Sequence, residues 1–199
     1  MLRSCVFLLL GLGALSAFTV SMAQVQQHGS VALIKAVAFD ADGCSLISGW
    51  YWVRPGCRQY ADWLFPMPPL KEMASDLYIN FGPLVSNDFN GGSGWETTVC
   101  IEVFLIVDPA EALGIERPEG IMIWSDKVYL HNPFRPQIKE YTYGVGYQAF
   151  ADGIRIDKDY LLKAPPQTRY LLVRVRRVLP EHVGVNQDCL YLAFKKVEG

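Results

Sequence analysis

The sequence predicts an all-β fold: an antiparallel β-sandwich, jelly-roll-like, of about eight strands with a long aromatic-rich loop. Short runs of β-branched and aromatic residues recur between clusters of Gly, Pro, Asn and Asp, the pattern of strands broken by turns. Several runs alternate apolar and polar residues, as strands with one wet face do. No helix-length periodic segment separates them, which disfavours a βα-repeat fold.

The chain opens on MLRSCVFLLLGLGALSAFTVSMA. Arg3 gives a short positive start, an apolar run follows from Cys5 to Val20, and Ser21-Met22-Ala23 places small residues where a signal peptidase reads. Residues 1–23 therefore read as a signal peptide, cleaved after Ala23, and residues 24–199 as a single domain, secreted or periplasmic. No later apolar stretch is long enough to span a bilayer, so no membrane span is expected after removal.

The first strand is expected over Ser30–Phe39, after a loose segment containing His28. Cys44–Pro69, rich in Trp, Tyr and Pro, reads as the long loop. Asp76–Ser86 is a strand bent at Gly82-Pro83, since Pro donates no ladder hydrogen bond. Thr97–Val107 is the strongest strand: Val99, Ile101, Val103, Leu105 and Val107 form an apolar face. Ile121–Trp124, Lys127–Leu130 and Tyr141–Phe150 follow. Tyr170–Leu179 alternates Leu171, Val173 and Val175 against Leu172, Arg174 and Arg176, and Asp188–Val197 turns Leu190, Leu192 and Phe194 one way. Short helical turns are expected at Ala110–Gly114 and around Leu70–Ala74.

Loss of Cys5 with the leader leaves Cys44, Cys57, Cys100 and Cys189. An even number in an exported chain points to disulfides, with Cys44–Cys57 and Cys100–Cys189 the favoured pairing. The second would close the longer loop and stabilise more in the chain-entropy model. Loss of Arg3 leaves 17 basic against 20 acidic residues, a balance that argues against nucleic-acid binding.

Catalytic motifs are absent. His28, His131 and His182 lie in polar or terminal settings, and Ser45, Ser48, Ser93 and Ser125 lack a G-x-S-x-G context. Glu102, inside an apolar strand, is expected to pair with Arg174 or Arg176 across the sheet. Oxygen-rich turns at Asp40-Ala41-Asp42-Gly43, Asp157-Lys158-Asp159 and Ser86–Gly92 suit tight turns. In the last, Asp88 and Asn90 are the candidate ligands for a structural calcium.

Aromatics carry the functional expectation. Trp50, Tyr51, Trp52, Tyr60, Trp63 and Phe65 crowd one segment, interleaved with Arg54, Arg58, Gln59 and Asp62. Sugars stack apolar C–H faces on aromatic rings while their hydroxyls meet polar neighbours. In strand rhythm and aromatic loops the chain resembles, in broad outline, the jelly-roll modules attached to secreted carbohydrate-active enzymes. The expected function is a secreted, non-catalytic binding module for carbohydrate, its partner a glycan or cell-surface polymer, with Trp50, Trp52, Arg54, Arg58 and Trp63 as contacts. The alternatives are a structural or surface-assembly protein of the cell envelope and a small hydrolase whose site no motif reveals. A basic stripe of Arg174, Arg176, Arg177, Lys195 and Lys196 would suit an anionic partner or protect a strand edge.

Overall fold

The computed structural model describes residues 25–28, 31–47, 49–53, 59–81, 85–87, 93–94, 96–131, 154–177 and 183–198. Its strands form three five-stranded antiparallel sheets, an all-β architecture consistent with a sandwich. The first runs β1 (Val25–His28), β2 (Val31–Lys35), β15 (Leu190–Lys195), β7 (Leu77–Phe81), β12 (Ile154–Ile156). The second runs β11 (Gly120–His131), β10 (Glu96–Ile106), β13 (Tyr170–Arg177), β6 (Tyr60–Pro66), β3 (Ala38–Asp40). The third runs β4 (Ser45–Ile47), β5 (Trp50–Val53), β14 (Val183–Val185), β8 (Val85–Asn87), β9 (Ser93–Gly94).

One core joins the sheets. Ala32, Ile34, Leu77, Ile79, Leu190, Leu192 and Phe194 of the first sheet meet Ala61, Trp63, Phe65, Val99, Ile101, Val103, Leu171, Val173 and Val175 of the second. Val53, Val183 and Val185 of the third complete it. These residues recur at every second position because successive strand side chains point to opposite faces. Each large aliphatic or aromatic side chain so buried contributes roughly 1.5–3 kcal/mol. The apolar face expected on β10 is buried from Val99 to Leu105, whereas Val107, beyond the strand, is exposed.

Several sequence expectations are corrected. Ser30–Phe39 is two strands, not one: β2 belongs to the first sheet and β3 to the second, and at the corner Val37 N–H donates to Leu64 O at 2.8 Å. Asp76–Ser86 likewise divides between β7 and β8 in different sheets. His28 ends a strand, β1, paired with β2. Ile121–Trp124 and Lys127–Leu130 fuse into β11, because the intervening Ser125 and Asp126 pair with Glu102 and Ile101. The expected turns appear as 3-10 helices η1 (Leu70–Glu72) and η2 (Pro109–Glu111), and a short helix, α1 (Lys158–Leu162), was not anticipated. Tyr141–Phe150 lies outside the described residues.

Cys44–Pro69 is not a loop, because its aromatics are strand formers. β4 and β5 make a hairpin with Ile47 opposite Trp50, turning through Gly49 at φ +81°, a conformation Gly adopts without a Cβ clash. Trp52 then lies over Gly184 of β14, where an added Cβ would meet its indole carbons at 3.0–3.2 Å. Gly184→Ala should displace that ring and cost about 1–3 kcal/mol. An unchanged urea midpoint and tryptophan emission would contradict this packing.

The Cys100–Cys189 disulfide is not formed. Cys100 lies on the outer face of the second sheet, with its Sγ 3.9 Å from Ser125 Oγ, while Cys189 is buried in the turn before β15 of the first sheet. The core layer separates them. The Cys44–Cys57 pairing falls outside the described residues, since Cys57 is not among them.

Candidate functional site

The outer face of the second sheet should be polar by the alternation, yet it carries Leu64, Phe104, Ile106 and Leu172 as a second apolar cluster. They are covered by the connection from β10 to β11, residues 107–119. Asp108 starts the cover: its Oδ1 accepts from Ala110 N–H at 2.9 Å, with Pro109 at the first position of η2, a usual N-terminal arrangement. Ala112 and Leu113 follow and pack on the cluster.

The far end of this cover is held by a buried ion pair. Asp62 of β6 and Arg174 of β13 are direct cross-strand partners, and both are fully buried. Arg174 Nε donates to Asp62 Oδ1 at 2.7 Å and Nη2 to Oδ2 at 2.8 Å. The same guanidinium donates to Ile115 O at 2.6 Å and Glu116 O at 2.9 Å. Gly114 N–H donates to Asp62 Oδ2 at 2.9 Å, and the Tyr60 hydroxyl to Gly114 O at 3.2 Å. The Tyr60 ring lies 3.7 Å from the guanidinium carbon, a cation–π contact. Thus each charge meets hydrogen-bonding partners, as burial demands. Burial pushes the Asp62 carboxyl above its usual 3.8, and the hydrogen bonds and charge of Arg174 and the Gly114 N–H oppose that rise. Asp40, its cross-strand neighbour on β3, adds to the rise.

Beside the cover lies a cleft of about 620 Å³ between β3, Leu64, η2 and Tyr170, within the roughly 300–1,000 Å³ of small-molecule sites. Val37, Ala38, Leu64, Leu113 and Tyr170 make it largely apolar, and Asp40, Asp42 and Asp108 supply carboxylates. Asp40 Oδ1 accepts from Asp42 N–H at 2.7 Å, which shapes the Asp-Gly turn there. Among the described residues no group of His, Cys, Asp and Glu is arranged to hold a metal ion. Chemically, the cleft offers an apolar surface edged by hydrogen-bond acceptors.

Of the expected sugar contacts, Trp50, Trp52 and Trp63 do not line this cleft. Trp63 is fully buried in the core, with its indole N–H donating to Gln187 O at 2.9 Å and Phe39 packed on it at 5.0 Å between ring centroids. Trp52 is buried in the third sheet, and Trp50 beside it is half-buried. Arg54, Arg58, Asp88 and Asn90 lie outside the described residues. The basic stripe dissolves: Arg174 binds Asp62, Arg176 pairs with Glu102 at 3.0 Å, and Arg177 is buried. Asp157 caps α1 by accepting Asp159 N–H at 2.8 Å.

The sequence names Asp62 only as a polar neighbour of the aromatics, and Asp108 and Tyr170 do not stand out in it as site residues. Two signals were present: a lone carboxylate in the apolar run Tyr60–Phe65, and the Asp-Pro pair that opens η2. No known family model, curated protein sequence or solved structure matches the chain.

Proposed function

We propose that the protein is an exported, non-catalytic carbohydrate-binding module whose site is the cleft between β3 and η2. The observation that carries this reading is the cleft's composition: an apolar wall including Tyr170 and Leu64 beside the carboxylates of Asp40, Asp42 and Asp108. A sugar ring is apolar on its C–H faces and rimmed by hydroxyl donors. Tyr170 would receive the face, and the aspartates would accept from the hydroxyls. Each carboxylate has about four acceptor sites, so the bond from Ala110 N–H leaves Asp108 capacity for a ligand. The apolar run from Cys5 to Val20, read as a leader, supports export to where polysaccharides occur.

The site is held in place by the ion pair behind it. One wall, Asp108–Leu113, runs directly into Gly114, whose N–H Asp62 holds. A wall so fixed spares a ligand the cost of ordering it.

A glycan array followed by calorimetry tests the reading. Asp108→Asn keeps an acceptor for the Ala110 N–H but removes the charge, and Tyr170→Ala removes the stacking face. Each should weaken an oligosaccharide found on the array by about tenfold or more, equivalent to ~1.4 kcal/mol. Absence of any array hit, or unchanged affinity in both variants, would overturn the assignment.

A further inference from the structure

Three arginines close β13 and its approaches, and they are treated very differently. Arg174 meets Asp62 and two carbonyls, and Arg176 meets Glu102 through Nε and Nη2. Arg177 continues the inward series of Leu171, Val173 and Val175 and is only 5% exposed, yet among the described residues its Nε and Nη1 have no hydrogen-bond partner. Its backbone is well anchored: it stands opposite Val99 of β10, and its N–H donates to Gln59 O at 2.8 Å. The side chain is therefore carried inward by a regular strand.

A guanidinium does not deprotonate in a protein, so burial cannot neutralise it as it can a carboxyl or an amine. A buried charge without a counter-charge is strongly unfavourable. Planar N–H edges match the oxygens of carboxylate and phosphate groups, which they bind in pairs. We propose that Arg177 anchors a second binding site, for an oxyanion, at the C-terminal end of β13. This site is separate from the sugar cleft. Tyr170, which lines the cleft, begins the strand that Arg177 ends, about 23 Å away along an extended chain. A carboxylate or a phosphate or sulfate group satisfies the same donors, whether free or carried on a larger acidic molecule.

The test uses the whole protein and two probes, inorganic phosphate and acetate, each exchanged for chloride at constant ionic strength. A proton–nitrogen spectrum of the arginine Nε–H groups should show the Arg177 signal shifting saturably with at least one probe. Response to phosphate alone assigns a tetrahedral anion, and response to acetate alone assigns a carboxylate. Thermal unfolding should rise by roughly 5–10 °C at a hundredfold excess of the bound probe over its Kd. Arg177→Met should abolish that rise, whereas Lys195→Gln, at an exposed cation, should keep it. If Arg177→Met does not fold, the wild-type spectral titration decides alone. An Arg177 signal indifferent to both probes, or an equal rise in Arg177→Met, overturns the proposal.

Discussion

Arg174→Ala should cost about 3–5 kcal/mol of stability, because it strands the Asp62 carboxylate in the interior. Asp62 is buried and directly opposite Arg174, and after the substitution only the Gly114 N–H would still bond it. The carbonyls of Ile115 and Glu116 would lose their donors as well. Replacing both charges tells a different story. Burial lifts Asp62 despite its partner, so desolvation works against the charged form of this carboxyl. Asp62→Leu with Arg174→Met should therefore recover most of the loss, since apolar replacement of a buried pair is commonly neutral or stabilising. The pair's contribution would then be positional: it holds residues 114–116, and with them one wall of the cleft. The double variant should fold but bind sugar more weakly. Urea midpoints and calorimetry on the singles and the double separate these effects, and full affinity in the double variant would contradict the positional role. The pH dependence has a definite sign. A carboxyl raised in the folded state binds its proton more readily there, so its contribution favours folding below the unfolded value of about 3.8. That contribution is lost as pH rises through the raised folded value. The stability of the wild type relative to Asp62→Asn should fall across that interval.

Trp63→Ala should destabilise by about 3–5 kcal/mol through the cavity it leaves. The indole is fully buried between Phe39 and the core, and its N–H satisfies Gln187 O. Trp63→Phe should cost less, since it fills most of the volume and loses mainly the hydrogen bond. These outcomes, read from urea denaturation, would mark Trp63 as a core residue. A Trp63→Ala protein of unchanged stability that no longer bound sugar would instead restore the aromatic segment as the site.

The strand rhythm was legible because period-two alternation reports directly on which face is buried. Val99–Leu105 and Leu190–Phe194 needed no knowledge of their partners. Where one strand hands over to another sheet, as between Lys35 and Ala38, the intervening Ala36 and Val37 are apolar, and no Gly or Pro marks the break. The Trp-rich segment was read as a loop because its aromatics, prolines and arginines look like a recognition surface. Its strand pairing depends on partners as distant as Val183–Val185 and Tyr170–Arg176. Glu102 was expected to pair with Arg174 or Arg176, and the Arg176 pairing is the one formed, although Arg174 is its neighbour in register. Arg174 meets Asp62 on the other side instead, while Arg176 reaches Glu102 diagonally. A central strand has two neighbours, and alternation does not choose between them. The cleft was illegible for the same reason: Asp40, Asp108 and Tyr170 come from three separated segments that only the folded sheet and its cover bring together.

Amide hydrogen exchange with and without the tightest-binding oligosaccharide from the array tests the binding site most directly. The cleft assignment predicts slowed exchange in two segments, Val37–Asp42 and Asp108–Leu113, both of which line it. Slowing centred on Trp50–Val53, with those two segments unchanged, would contradict it.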